Sequence, residues 1–197
     1  HIQQVNEMIQ RDKNHPCVFA WSLFNEPETT SPEAASYFKA IFKAAHSADG
    51  QKRPCTGAFE KNSQPDTCQV YPLCDFICLN RYYGWYINSG ESFDEAAVAF
   101  VAELEKWQAK KLNKPFVFSE FGTDNLVSEH KLPSVMWSQE YQNEFLQLYF
   151  DTFDKYSFIQ GELVWNFADF QTNQGVLRVN GNRKGIFTRD RQPKDAA

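Results

Sequence analysis

Val18-Phe-Ala-Trp-Ser-Leu-Phe-Asn-Glu-Pro27 is a short, almost continuous apolar run that closes on a carboxylate. Phe116-Val-Phe-Ser-Glu-Phe-Gly122 repeats the arrangement, with Glu120 standing where Glu26 stands in the first run. Runs of this length with little polar alternation read as strands covered on both faces, as in parallel sheets flanked by helices. An unpaired charge in such surroundings is costly to bury, so a strand seldom ends on one unless a site uses it.

Working outward, apolar runs at Cys17–Phe24, Pro54–Phe59, Phe76–Asn80, Pro115–Ser119 and Ile159–Trp165 predict strands. Helical patterns fill the gaps. The chain starts inside one, with Ile2, Val5 and Ile9 on a single face. A second is announced by Ser31 as N-cap and Pro32 at the first helical position, and runs through Phe38, Ile41 and Phe42. A third opens on the capping box Ser92-Phe-Asp-Glu95 and carries Phe93, Phe100, Leu104 and Trp107 on one stripe. A fourth starts near Ser138, with Tyr141, Phe145, Leu148, Tyr149 and Thr152 facing one way.

Strands alternating with amphipathic helices imply an α/β fold, either a doubly wound sheet or a barrel. No Gly-rich phosphate loop follows a strand, which removes the usual sign of a nucleotide-binding sheet. A barrel explains the acids better, because its catalytic groups project from the carboxyl ends of strands. The expected fold is therefore a (β/α)8 TIM barrel present in part, about strands 4 to 8 with their helices. A complete barrel has eight strands and typically ~250 residues, so about three strand–helix units are expected before His1. An open apolar edge is expected with them. Residues 1–197 thus read as the C-terminal portion of a catalytic barrel domain.

The net charge of −5 argues against a nucleic-acid partner, which would call for a basic face. No stretch reaches the ~20 consecutive apolar residues of a membrane span. Cys17, Cys55, Cys68, Cys74 and Cys78 form no Cys-x-x-Cys pair, and a reduced, cytoplasmic setting fits them best. A lysosomal or secreted setting stays open. His1, His15, His46 and His130 are scattered without ligand spacing, so neither a metal nor another cofactor is expected. One segment breaks the acidic balance: Arg178, Arg183, Lys184, Arg189, Arg191 and Lys194 crowd around the single acid Asp190. On charge alone this is a solvated basic loop.

Paired carboxylates at strand ends are the equipment for cleaving a glycosidic bond, one giving a proton to the leaving oxygen and the other attacking the anomeric carbon. Their company fits a sugar. Asn25 precedes Glu26, Leu79-Asn-Arg-Tyr-Tyr-Gly-Trp-Tyr86 follows a buried strand, and Trp165-Asn-Phe-Ala-Asp-Phe170 follows the last one. Aromatic faces stack on sugar rings while phenol and amide tips orient hydroxyls. Phe76, Phe167 and Tyr83 read instead as core.

Arg11-Asp-Lys-Asn-His-Pro16, Asn25-Glu-Pro27, Leu79 to Tyr86, Trp165 to Phe170 and Lys184 to Lys194 closely resemble the β-glucuronidases of glycoside hydrolase family 2. The resemblance covers essentially the whole chain. It implies a retaining, exo-acting hydrolase of β-D-glucuronides, with Glu26 as acid/base and Glu120 as nucleophile. It places Asn25, Asn80, Tyr82, Tyr86 and Trp165 along the sugar site. It also implies that Asn182 and Lys184, with Arg178 nearby, recognise the sugar carboxylate, while Arg183 between them faces solvent. A small-molecule glucuronide is then the partner, and the full-length protein is expected to be a homo-oligomer. β-Galactosidase, β-mannosidase or β-galacturonidase activity of the same family is the alternative, or a non-catalytic sugar-binding fragment. Two positions depart from the family pattern: Phe121 replaces a tyrosine, and Leu23-Phe24 replaces smaller residues before Asn25.

Overall fold

The computed structural model describes residues 1–90 and 92–197. It resolves into two compact units, the first being 1–80 with 110–117 and the second 81–109 with 118–197.

In the first unit, α1 (Ile2–Asp12) leads to β1 (Trp21–Asn25), α2 (Ala34–Ala48), β2 (Cys55–Phe59) and β3 (Ile77–Asn80). The strands lie in chain order, β1 pairing with β2 and β2 with β3, all parallel. Trp21 pairs with Cys55 and Ala58 with Cys78. β1 and β2, parallel neighbours joined through α2, form the repeating unit of a (β/α) barrel, whereas the connection from β2 to β3 carries only a short 3-10 turn, Tyr71–Leu73. The α2 stripe of Phe38, Ile41, Phe42 and Ala45 is buried, as are Val5 and Ile9 of α1. Phe24 ties the layers together, its ring centroid 4.7 Å from Phe38 and 5.3 Å from Phe59. The space it occupies is the one a Cβ on Gly57 would need. Phe24 is thus accommodated in the helix–sheet interface, with a glycine opposite, and Leu23 is buried.

In the second unit, α3 (Asp94–Ala109), the carboxyl half of β4 (Phe116–Phe121), α4 (Gln139–Phe153) and β5 (Ile159–Val164) follow one another, β4 neighbouring β5. Ser138 caps α4, its hydroxyl oxygen accepting from the Tyr141 N–H at 3.2 Å. The core here is a stack of rings. Tyr149 of α4 lies parallel to Phe121 at 5.2 Å and stacks on Phe100 of α3 at 4.6 Å and Phe145 at 4.3 Å. Each such ring contributes about 1.5–3 kcal/mol by leaving water. Burial raises the Tyr149 phenol well above its ordinary pKa, so the hydroxyl stays protonated and donates to the Tyr83 carbonyl at 3.1 Å. Phe121 therefore faces the core. A tyrosine there would have had to bury a hydroxyl among rings, which is the physical sense of this departure from the family pattern.

Several boundaries differ from the sequence-based ones. The first strand begins at Trp21, not Cys17, and Cys17 is exposed. The fourth extends through Glu120 to Phe121, and the fifth stops at Val164. The second helix begins at Ala34, with Glu33 at the cap position, so Ser31-Pro32 form a turn before it. The reason is Glu28, whose carboxylate accepts from the Thr30 N–H at 2.6 Å, the Ser31 N–H at 3.1 Å and the Thr30 hydroxyl. Those bonds, the Thr30 hydroxyl first, hold the Glu28 carboxyl down to about 2. The third helix begins at Asp94, two residues beyond Ser92. On α4, Leu146 is buried and Leu148 only half-buried.

Candidate active site

The first unit holds Glu26 with its amide neighbours. Register slips between Ser22 and Asn25 of β1, so the strand is kinked where it reaches the acid. Such irregularities re-aim a side chain at a strand end. Glu26 itself has a φ of 50°, in the left-handed region, while its N–H donates to the Ala58 carbonyl at 2.9 Å. A non-glycine residue held there carries about 1–2 kcal/mol of strain, which typically collects at functional positions. Asn80, buried at the end of β3, donates from Nδ2 to Glu26 Oε1 at 2.9 Å and to Asn25 Oδ1 at 3.3 Å. The exposed Asn25 and Glu26 and the buried Asn80 thus form one polar cluster at the carboxyl ends of β1 and β3.

The second unit holds Glu120 and the remaining candidates. Its backbone carbonyl accepts from Arg81 N–H at 2.9 Å, and its carboxylate Oε2 accepts from the Tyr82 hydroxyl at 2.7 Å. A donor at that distance stabilises the ionised carboxylate. The Tyr82 segment is anchored beneath by a buried ion pair. Arg81 Nη2 reaches Glu103 Oε1 of α3 at 2.7 Å, with side chains 0% and 2% exposed. Glu103 also accepts from Tyr83 and Trp107, at 2.9 and 3.0 Å. On the other side, Trp165 N–H donates to the Phe121 carbonyl at 2.8 Å, and the Trp165–Asn166 peptide is cis.

Gly122 makes that approach possible, since a Cβ there would run into the Trp165 carbonyl oxygen. Replacing Gly122 with alanine is expected to push Trp165 away from β4. Kinetics of the full-length variant should show a loss of kcat/KM of about tenfold or more, as for a small displacement of backbone beside the strand that carries Glu120.

The basic segment folds back into the same unit. Lys184 is buried, its Nζ ion-paired with Asp124 and set over the rings of Tyr86 at 4.8 Å, Trp85 at 5.0 Å and Tyr82 at 6.0 Å. Asn182, also buried, accepts from the Lys184 N–H at 3.0 Å through Oδ1. Arg178 approaches the Tyr86 ring at 5.9 Å. Burial opposes its charge, but the hydrogen bond to Tyr86 leaves its pKa raised. Arg183 is half-buried and not turned fully to solvent: its Nη1 lies 3.3 Å from Asp169 Oδ2. Lys194 is buried against Asp169 Oδ1 at 2.8 Å. Phe167, expected in the core, is 61% exposed and packs on Phe187, while Tyr83 is buried as expected. Asp124, Asp169 and Glu103 were not singled out from the sequence. Each lies far along the chain from the cation it serves.

Among the described residues, two clusters bring metal-ligating groups together in space, His46 with Cys55 and Asp75, and His130 with Glu140 and Asp195. In the first, Asp75 already accepts the Cys55 N–H at 2.7 Å, and burial pushes the Cys55 thiol up to about 12. A thiol so protonated is a poor ligand. In the second, Glu140 takes the Lys131 N–H and the ring of His130, an exposed ion pair.

Parallel strands joined through a helix, with carboxylates at or near strand ends, place the chain in the (β/α) barrel class. The whole chain, residues 1–197, matches the family described as glycosyl hydrolases family 2, TIM barrel domain, and it belongs to that family. It is 43% identical over 194 residues to a β-glucuronidase of Streptococcus agalactiae, and 41% identical over 199 residues to that of Homo sapiens. Those alignments cover 98% and 100% of this chain but 32% and 30% of the relatives. The β-glucuronidase of Ruminococcus gnavus, solved with D-glucaro-δ-lactam and with D-glucuronic acid, superposes with a TM-score of 0.98 at 64% identity, over 100% of this chain and 34% of that one. The chain therefore spans about a third of the length of the relatives it matches.

Proposed function

We propose that this chain is the C-terminal part of the catalytic barrel of a longer enzyme that releases D-glucuronate from β-D-glucuronides with retention of configuration. Glu120 attacks the anomeric carbon while Glu26 hands a proton to the departing oxygen. Glu26 then takes a proton from water, whose oxygen displaces Glu120 and frees the sugar. Tyr82 supports the nucleophile, and Asn25 and Asn80 accompany the acid/base. Trp165 and Tyr86 line the sugar.

The observation that carries the substrate is Lys184: a buried ammonium beside Asn182 and Arg178, in the same unit as Glu120. Its pairing with Asp124 offsets the cost of burial, and its remaining protons are donors for charge-assisted bonds to a carboxylate, which are strong and which a neutral sugar would not use. The Ruminococcus gnavus relative was solved with D-glucuronic acid, which supports the same reading. The four buried thiols, Cys55, Cys68, Cys74 and Cys78, fit a reducing, cytoplasmic setting.

The test is a side-by-side assay of the full-length protein on nitrophenyl β-glucuronide, β-galactoside and β-galacturonide. The glucuronide is expected to be turned over fastest. A preference for the galactoside refutes the reading, and a preference for the galacturonide corrects the sugar while keeping the carboxylate site.

A further inference from the structure

Lys184 carries the substrate reading, so the groups that hold its side chain matter. Its backbone is pinned: the carbonyl accepts from Asn166 N–H at 3.1 Å, and the N–H is taken by Asn182. The four-carbon stem beyond it rotates freely unless something fixes its end. Three rings surround Nζ, but a ring face attracts a cation without choosing a direction for its protons. Among the described residues, the directional bond from Nζ goes to Asp124.

Asp124 is fully buried in the segment after β4 and uses both oxygens on the basic segment. Oδ1 accepts from the Arg183 N–H at 2.7 Å, and Oδ2 receives Lys184 Nζ. It therefore grips the backbone next to Lys184 and the tip of Lys184 together. The other buried acid nearby does not substitute for it, because Asp169 is bonded to Lys194, Arg183 and the Gly185 N–H. An ammonium has three protons. With one given to Asp124, two remain for an anionic ligand.

We propose that Asp124 is the positioning residue that aims Lys184 at the sugar carboxylate, and so sets the preference for an anionic over a neutral sugar. The idea rests on the glucuronide reading above and extends it to a residue that does not itself touch substrate. Asp124 and Lys184 cancel in charge, so the pair recognises the carboxylate by direction, while Arg178, set against the Tyr86 ring, adds a further positive charge.

The test uses Asp124→Asn in the full-length enzyme, with KM and kcat measured on nitrophenyl β-glucuronide and β-glucoside. An amide has one acceptor oxygen, so it serves the Arg183 N–H or Lys184 Nζ but not both. The glucuronide KM should rise about tenfold or more, as for loss of a hydrogen bond to a charged group. The glucuronide kcat and both glucoside constants should stay within a few-fold of wild type. In a Lys184→Met background the same change should add nothing to KM. An unchanged or lowered glucuronide KM overturns the proposal, since Asp124 would then be irrelevant or a competitor of the sugar. Equal losses on both substrates overturn it too, marking a role in folding alone. Should the Asn variant not fold, Asp124→Glu keeps both oxygens and displaces Nζ by a methylene. It should raise the glucuronide KM selectively, and a non-selective change refutes the role. A wild-type enzyme that prefers galactoside fails the underlying reading. A wild-type glucuronidase insensitive to Asp124→Asn fails only this inference.

Discussion

Glu120→Gln in the full-length enzyme should abolish turnover of nitrophenyl β-glucuronide, a loss of about four orders of magnitude or more, as for removal of a covalent nucleophile. Glutamine keeps the size of the side chain and an oxygen able to accept from the Tyr82 hydroxyl, which now lies 2.7 Å from Oε2. The local fold should survive, and thermal unfolding should be near normal. What is lost is the negative charge that the proposed mechanism uses to attack the anomeric carbon. Shortening the side chain instead, by Glu120→Ala or Glu120→Gly, opens room for a small anion. Added azide should restore rate to those two variants but not to the glutamine variant, and the sugar azide formed should have inverted configuration. Near-normal hydrolysis by Glu120→Gln would remove Glu120 from the role.

The largest expected effect on stability lies beneath the site, at Glu103→Ala. The side chain of Arg81 is 0% exposed and its guanidinium is held by both oxygens of Glu103, with Nε 2.9 Å from each. Removing the carboxylate leaves a buried charge without its counter-ion, which typically costs about 3–5 kcal/mol. Tyr83 and Trp107 lose their acceptor at the same time. A drop in unfolding free energy of that size, read by urea titration of the full-length protein, is the expected result. Activity should fall with it, because Arg81 N–H also bonds the Glu120 carbonyl and Tyr82 is the next residue. The double change Arg81→Met with Glu103→Leu should recover much of the stability, since an apolar pair needs no desolvated charges. A loss below about 1 kcal/mol for Glu103→Ala, the range of a surface ion pair, would contradict the buried-network account.

The strands, α4 and the places of Glu26 and Glu120 at or near strand ends were legible in the chain because each is a local pattern. Ile159–Val164 is a bounded apolar run, Ser138 sits just before a helical stripe, and Glu26 and Glu120 interrupt apolar runs where charge is expensive. The start of α2 was not legible. Ser31-Pro32 is a good helix opening locally, but three bonds to the Glu28 carboxylate make those residues a turn instead. Arg183 and Phe167 were misplaced for a related reason, since a side chain's exposure depends on which distant segment folds over it.

The basic segment shows the division most clearly. Its residues and charges are plain in the chain, and likeness to a family names Asn182 and Lys184. What the charges do is settled by acids from elsewhere: Asp124 on Lys184, and Asp169 on Arg183 and Lys194. Glu103, on α3 with Leu104 and Trp107, looks in one dimension like an ordinary solvated helix acid, yet it is buried under Tyr82's segment. Local propensity and apolar pattern act between near neighbours and are written in sequence order. Burial and ion pairing act through space, so the partner of a charge appears only when the chain has folded.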